Sequence, residues 1–156
     1  MSLDIEKIVR EYIDKSIHMS LATASEAGPW VCEVHFVYDQ DLNLYFRSLQ
    51  SRRHSQEIAS SPNVAGNIVK QHLLEEYPHG IYFEGQAELL TNEAERQKVF
   101  PLFKARLNSG EGIMEEAADP EGHQFYKVTV KNWAAFGKFG EPTGGKYELA
   151  WNGDKK

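Results

Sequence analysis

The chain has a single cysteine, Cys32, among its 156 residues. One thiol excludes a disulfide framework within the chain and fits a reducing, cytoplasmic setting. No apolar run approaches the roughly 20 residues that span a bilayer. The N-terminal MSLDIEKIVREY carries acids and no long apolar stretch, so neither a membrane span nor a signal peptide is expected. Basic residues are outnumbered, 17 Lys and Arg against 23 Asp and Glu, for a net charge of −6. A broad nucleic-acid-binding face is therefore excluded, and any basic site must be local. Internal repeats and low-complexity tracts are absent. So are a GxGxxG opening a helix, a GxSxG and an HExxH. The six histidines show no zinc-like spacing with cysteine or carboxylates, so no metal site is expected.

What is present is enough for a core: 41% of residues are hydrophobic, and residues 1–156 are most simply one domain. Residues 2–15 form an amphipathic helix, with Ile5, Ile8, Val9, Tyr12 and Ile13 on one face and Ser2 or Asp4 as its cap. Residues 17–23 alternate as a half-buried strand. Residues 30–38 form a second, with Trp30, Cys32, Val34, Phe36 and Tyr38 directed to the core and Glu33 and His35 side by side on the other face. Asp39 to Asp41 turns the chain into a third strand, where Leu42, Leu44 and Phe46 continue the core while Tyr45 and Arg47 face away.

A short helix over 51–60, capped by Ser48 or Ser51, is ended by Pro62; strands follow at 64–70 and 81–90. Gly85 in mid-strand predicts a bulge or a close backbone approach. Asn92 with Glu95 reads as a capping box for a helix that Pro101 should kink or split. Residues 108–122 read as a mobile acidic loop, and strands at 123–131, 133–139 and 146–151 complete the chain. About eight short strands joined mostly by hairpins predict a mainly β fold, an antiparallel closed or split barrel with peripheral helices.

Arg47, Ser48, Ser51, Arg52 and Arg53 fall within seven residues at the start of a helix. Unpaired N–H groups at a helix start favour an anion, and guanidinium forks match phosphate. Arginines there oppose the helix dipole, so the cluster is better explained with a bound anion than without one. Glu33 and His35 could form an acid–base pair, but no third group orients them, and the catalytic residues stay unassigned. Gly140 to Lys146 mimics the opening of a P-loop. Tyr147 replaces the required Ser or Thr and a strand follows instead of a helix, which excludes nucleotide hydrolysis.

The pair VCEVHFVYD and LNLYFRS, the turn QSRRHSQEI, then SSPNVAGNIV and IYFEGQAEL, together resemble the FMN-binding split-barrel family related to pyridoxamine 5'-phosphate oxidase. The resemblance implies a six-stranded antiparallel split barrel and a homodimer with FMN at its interface. Arg52 and Arg53 match the pair that binds the FMN phosphate, with Arg47 and Ser48 near it at the end of the third strand beside Phe46. Val34, His35 and Phe36 match the strand along the flavin, with His35 and Phe36 against the isoalloxazine. Val31 and Phe36 stand where the oxidase has basic residues, and its arginine–histidine substrate motif is missing from the closing KYELAWNGDKK. The implied function is an FMN-dependent oxidoreductase acting on another small molecule. A haem-binding or haem-handling protein, with His54 or His72 as ligand, or a deazaflavin binder without oxidase activity, is the alternative on the same barrel.

Overall fold

The computed structural model describes residues 3–141 and 143–151. Four helices, α1 (Ile5–Lys15), α2 (Arg53–Ser60), α3 (Glu93–Leu107) and α4 (Gly112–Ala118), accompany eight strands. The strands are β1 (His18–Ser25), β2 (Gly28–His35), β3 (Val37–Tyr38), β4 (Leu44–Ser48), β5 (Asn63–Ile68), β6 (Gly80–Leu89), β7 (Gln124–Gly137) and β8 (Gly145–Ala150). Every pairing is antiparallel.

The strand order runs β2-β1-β5-β6-β7-β4-β3. Its two ends are consecutive in the chain, separated by Phe36 alone. The sheet therefore curls until β2 and β3 meet at one corner, leaving β2 paired along its length with β1 alone. With β2 and β3 taken as one bent strand, β1, β4, β5, β6 and β7 make the expected six. β7 explains the split. Its first part pairs with β4, from Gln124 to Val128, and its last part pairs with β8, from Asn132 to Gly137. β6 lies along its other side throughout, with a register shift between Glu84 and Gly85. Gly85 is needed there, because a Cβ would overlap the Thr129 carbonyl oxygen.

The barrel interior is filled by Met19, Leu21, Phe36, Leu44, Phe46 and Trp133, each essentially inaccessible. α1 lids it through Val9, Tyr12 and Ile13, and Asp4 caps that helix by accepting from the Lys7 N–H; Ser2 lies outside the described residues. A second apolar layer sits outside the barrel, where Val37, Tyr45 and Phe125 meet Val99 and Phe103 of α3 and Ala117 of α4. β4 is thus buried on both faces, which fixes Arg47 at the margin between barrel and outer helices.

Four local expectations need correction. The even face of the second strand is not wholly core: Trp30 is 43% exposed and Cys32 and Val34 are half-buried. β2 ends the strand order, so only β1 covers it along its length. α3 runs unbroken through Pro101. Pro101 and Gln97, whose carbonyl loses its donor, both lie on the exposed side, so water can serve that carbonyl. The supposed loop after α3 contains α4, because Ile113, Met114 and Ala117 give the acidic segment an apolar face that docks on the outer layer. Neither Ser48 nor Ser51 caps α2. Arg52 occupies the cap position with no side-chain cap bond, and Ser48 Oγ instead meets His54 Nε2 at 2.7 Å. Of the Asn92–Glu95 capping box, the Asn92 half forms, accepting from the N–H groups of Ala94 and Glu95.

Candidate functional site: a basic cleft beside strand β2

A cleft of about 750 Å3 opens between β2, the β4–α2 junction and the end of α3. Val34, His35, Arg47, Ser48, Arg52 and Arg53 all border it, so the structure brings together six of the eight residues singled out in the sequence. The other two do not offer side chains to it. Phe36 and Phe46 are 0% exposed inside the barrel; Phe36 seals the corner between β2 and β3, and Phe46 stacks on Tyr126 with ring centroids 5.0 Å apart. They hold the wall of the cleft rather than line it.

Two strand ends and one helix start deliver the basic groups. β4 carries Arg47 outward because its neighbours Phe46 and Ser48 are buried. The chain then turns, and the eight residues of α2 begin at Arg53 with their first N–H groups uncapped by any side chain. The three arginines differ in their partners. Arg53 Nε lies 3.4 Å from the Glu57 carboxylate, and its guanidinium sits 4.5 Å above the Trp30 ring. Glu57 is buried and accepts from Thr23 Oγ1 at 2.7 Å and Ser25 Oγ at 2.5 Å, which with Arg53 holds its carboxyl below the usual range. Arg47 pairs with Glu116 of α4. Among the described residues, no ion pair engages Arg52.

His54 and His123 complete the polar lining. Burial, then the nearby Arg52, lowers the His54 pKa, so its ring is neutral at neutral pH and serves Ser48 as a hydrogen-bond partner. With Nε2 engaged and the side chain buried, His54 is not the open haem ligand that the sequence suggested; His72 is exposed. Glu33 and His35 do not pair with each other. Ser20 donates to Glu33, and His35 packs on its cross-strand neighbour His18 at 4.4 Å between ring centroids.

His123 Nδ1 lies 2.5 Å from Glu116, and the His123 backbone N–H donates to the same oxygen at 3.1 Å. These contacts first, and Arg47 after them, hold the Glu116 pKa at about 2, below its ordinary 4.5. A carboxyl depressed in the fold stabilises it above the unfolded pKa, and that contribution fades as pH falls from 4.5 toward about 2. Acid melts of Glu116→Gln are therefore expected to fall less steeply across this window than those of the wild type; parallel curves would show that the carboxylate contributes nothing there.

Sequence reading missed Trp30 as a cleft residue and gave no sign of Phe103, Leu107, Ser109, Glu116 or His123. The last five reach the cleft or its rim from segments more than 50 residues beyond Arg47, through packing of α3 and α4 that no local motif encodes.

An antiparallel split barrel with a basic cleft at a strand-to-helix junction defines the class of protein. A profile of the pyridoxamine 5'-phosphate oxidase family matches residues 5–137, and the chain belongs to that family. Comparison with curated protein sequences yields no match. Among solved structures, a haem-binding protein from Mycobacterium smegmatis superposes with a TM-score of 0.73 at 14% identity, over 98% of this chain and 60% of that one. A NimC/NimA-family protein from Clostridium acetobutylicum gives 0.63 at 14% identity, over 92% of each chain. General Stress Protein 26 from Bacillus anthracis gives 0.61 at 16%, over 85% of this chain and 94% of that one. At such identities these likenesses establish the shared fold. Among the described residues, no helix is long and apolar enough to cross a membrane.

Proposed function

We propose that the cleft binds FMN and that the chain acts as an FMN-dependent oxidoreductase in a homodimer. The observation that carries this reading is the convergence of Arg47, Arg52, Arg53 and an uncapped α2 start at one end of a cleft whose long wall is β2. The donor set suits a phosphate dianion, and about 750 Å3 is within the range of cofactor pockets. Arg52, lacking a carboxylate partner, gives the phosphate its first contact, and Arg53 is held in place by Glu57 and Trp30. Val34 and Cys32, half-buried on β2, supply apolar surface along the ring, and His35 a polar contact. The flavin supplies the electron chemistry; the side chains bind, orient and exclude water.

The dimer accounts for exposed apolar surface beside the cleft. Val31 is 61% exposed and Trp30 43%, and Val31 leads across the sheet to Ala22 and Ala65. A second copy on this smooth face would close the open side of the cleft. The purified protein is expected to show flavin absorbance, or to acquire it on adding FMN, and to sediment as a dimer. No binding in an FMN titration would refute the flavin reading, and a clean monomer carrying FMN would refute the interface. The haem-binding reading rests on exposed His72 and on the fold shared with the mycobacterial haem-binding protein. It requires a Soret band on haem addition that is lost in His72→Ala.

A further inference from the structure

We infer that Glu116 is a resident counter-anion for Arg47, which a ligand's phosphate displaces, so that α4 sets the selectivity of the cleft for dianions. This rests on the phosphate-binding reading of the cleft. The two internal carboxylates at the arginine cluster are built differently. Glu57 is buried, receives two hydroxyl donors from β1, and sits on the same helix as Arg53, four residues on. It is a fixed support. Glu116 belongs to the seven-residue α4, which has no side-chain cap bond, and its side chain is 38% exposed. It can leave.

Arg47 itself is poorly satisfied by this partner. Its side chain is only 21% exposed, it meets Glu116 through one Nη, and its buried Nε has no hydrogen-bond partner among the described residues. A buried guanidinium N–H left unpaired is costly. A carboxylate offers two oxygens, one of which is already taken by His123. A phosphate offers three and up to two charges, enough to serve Nε and Nη together while also reaching Arg52 and the α2 start. The His123 contacts engage the other Glu116 oxygen, Oε1, so a small withdrawal of Oε2 from Arg47 need not break them.

The exchange separates ligand classes. A monoanionic carboxylate gains little over the resident one, whereas a dianionic phosphate does. Removing the resident charge should tighten phosphate binding without affecting a ligand that lacks phosphate. The test is calorimetric or fluorescence titration of wild type and Glu116→Gln with FMN, inorganic phosphate and riboflavin. FMN and phosphate are expected to bind about five-fold more tightly to the variant, the scale of one partly exposed ion pair, with riboflavin unchanged. Unchanged or weaker phosphate and FMN binding overturns the inference, the latter because Glu116 would then be positioning Arg47. If neither protein binds FMN but phosphate still tightens, the counter-anion role stands and the flavin reading falls. Circular dichroism checks the fold; should Glu116→Gln fail to fold, Glu116→Asp, which withdraws the carboxylate by one methylene, is judged by the same criteria.

Discussion

Arg52→Glu is expected to weaken FMN binding about 100-fold or more while leaving the melting temperature essentially unchanged. Arg52 is the one clamp arginine without a carboxylate partner among the described residues, so its reversal breaks no ion pair among them and removes only its through-space effect on His54. A charge-assisted hydrogen bond to phosphate contributes about 1.5–3 kcal/mol, and reversing the sign adds repulsion at the α2 start. The same reversal suits the helix, whose N-terminus favours an acid by about 0.3–1 kcal/mol. Binding and stability should therefore move independently. An FMN titration on the variant, paired with a thermal melt, checks this. Undiminished affinity would mean that the phosphate sits elsewhere.

Phe36→Ala is expected to produce the opposite pattern, a large loss of stability with any binding defect secondary. Phe36 is wholly buried and is the only residue between β2 and β3, the two ends of the strand order. Truncating a buried phenylalanine costs about 3–5 kcal/mol through lost burial and the cavity left behind. In a chain of this length that lowers the melting temperature by roughly 10 °C. The Arg106 guanidinium, 5.2 Å from the Phe36 ring and 4.9 Å from that of Tyr38, also loses one of its two aromatic supports. If Phe36 lay against the isoalloxazine, as resemblance alone implied, the variant would melt near the wild type and lose flavin affinity instead.

These two residues mark what the sequence makes legible. The cluster at 47–53 was readable because its groups are neighbours in the chain and helix starts have a fixed chemistry. Strand positions were readable because alternation has a period of two residues. Which alternating face becomes core was less so. Trp30 and Phe36 share one face of the second strand, yet one is 43% exposed and the other 0%. The difference arises because the strand leaves the barrel's margin and enters its corner within six residues, a property of closure rather than of local pattern. From the sequence, α4 reads as loop because its acids obscure the apolar triplet Ile113, Met114 and Ala117. Missing α4 hid Glu116, and with it the ion pair that changes the meaning of Arg47: from a free donor to one that a ligand must win. Pro101 misled for a different reason. An interior proline costs a helix one hydrogen bond and a clash with the carbonyl four residues back, and here that side of α3 faces water, which relieves the first cost.

The most direct test of a phosphate-anchored flavin site is to titrate the wild-type protein with FMN and with riboflavin under identical conditions. The two ligands share the isoalloxazine and ribityl chain and differ only in the group that Arg47, Arg52 and Arg53 are proposed to hold. FMN is expected to bind at least about 100-fold more tightly, the equivalent of about 2.7 kcal/mol from the clamp. Equal affinities, or saturable binding of neither, would contradict it.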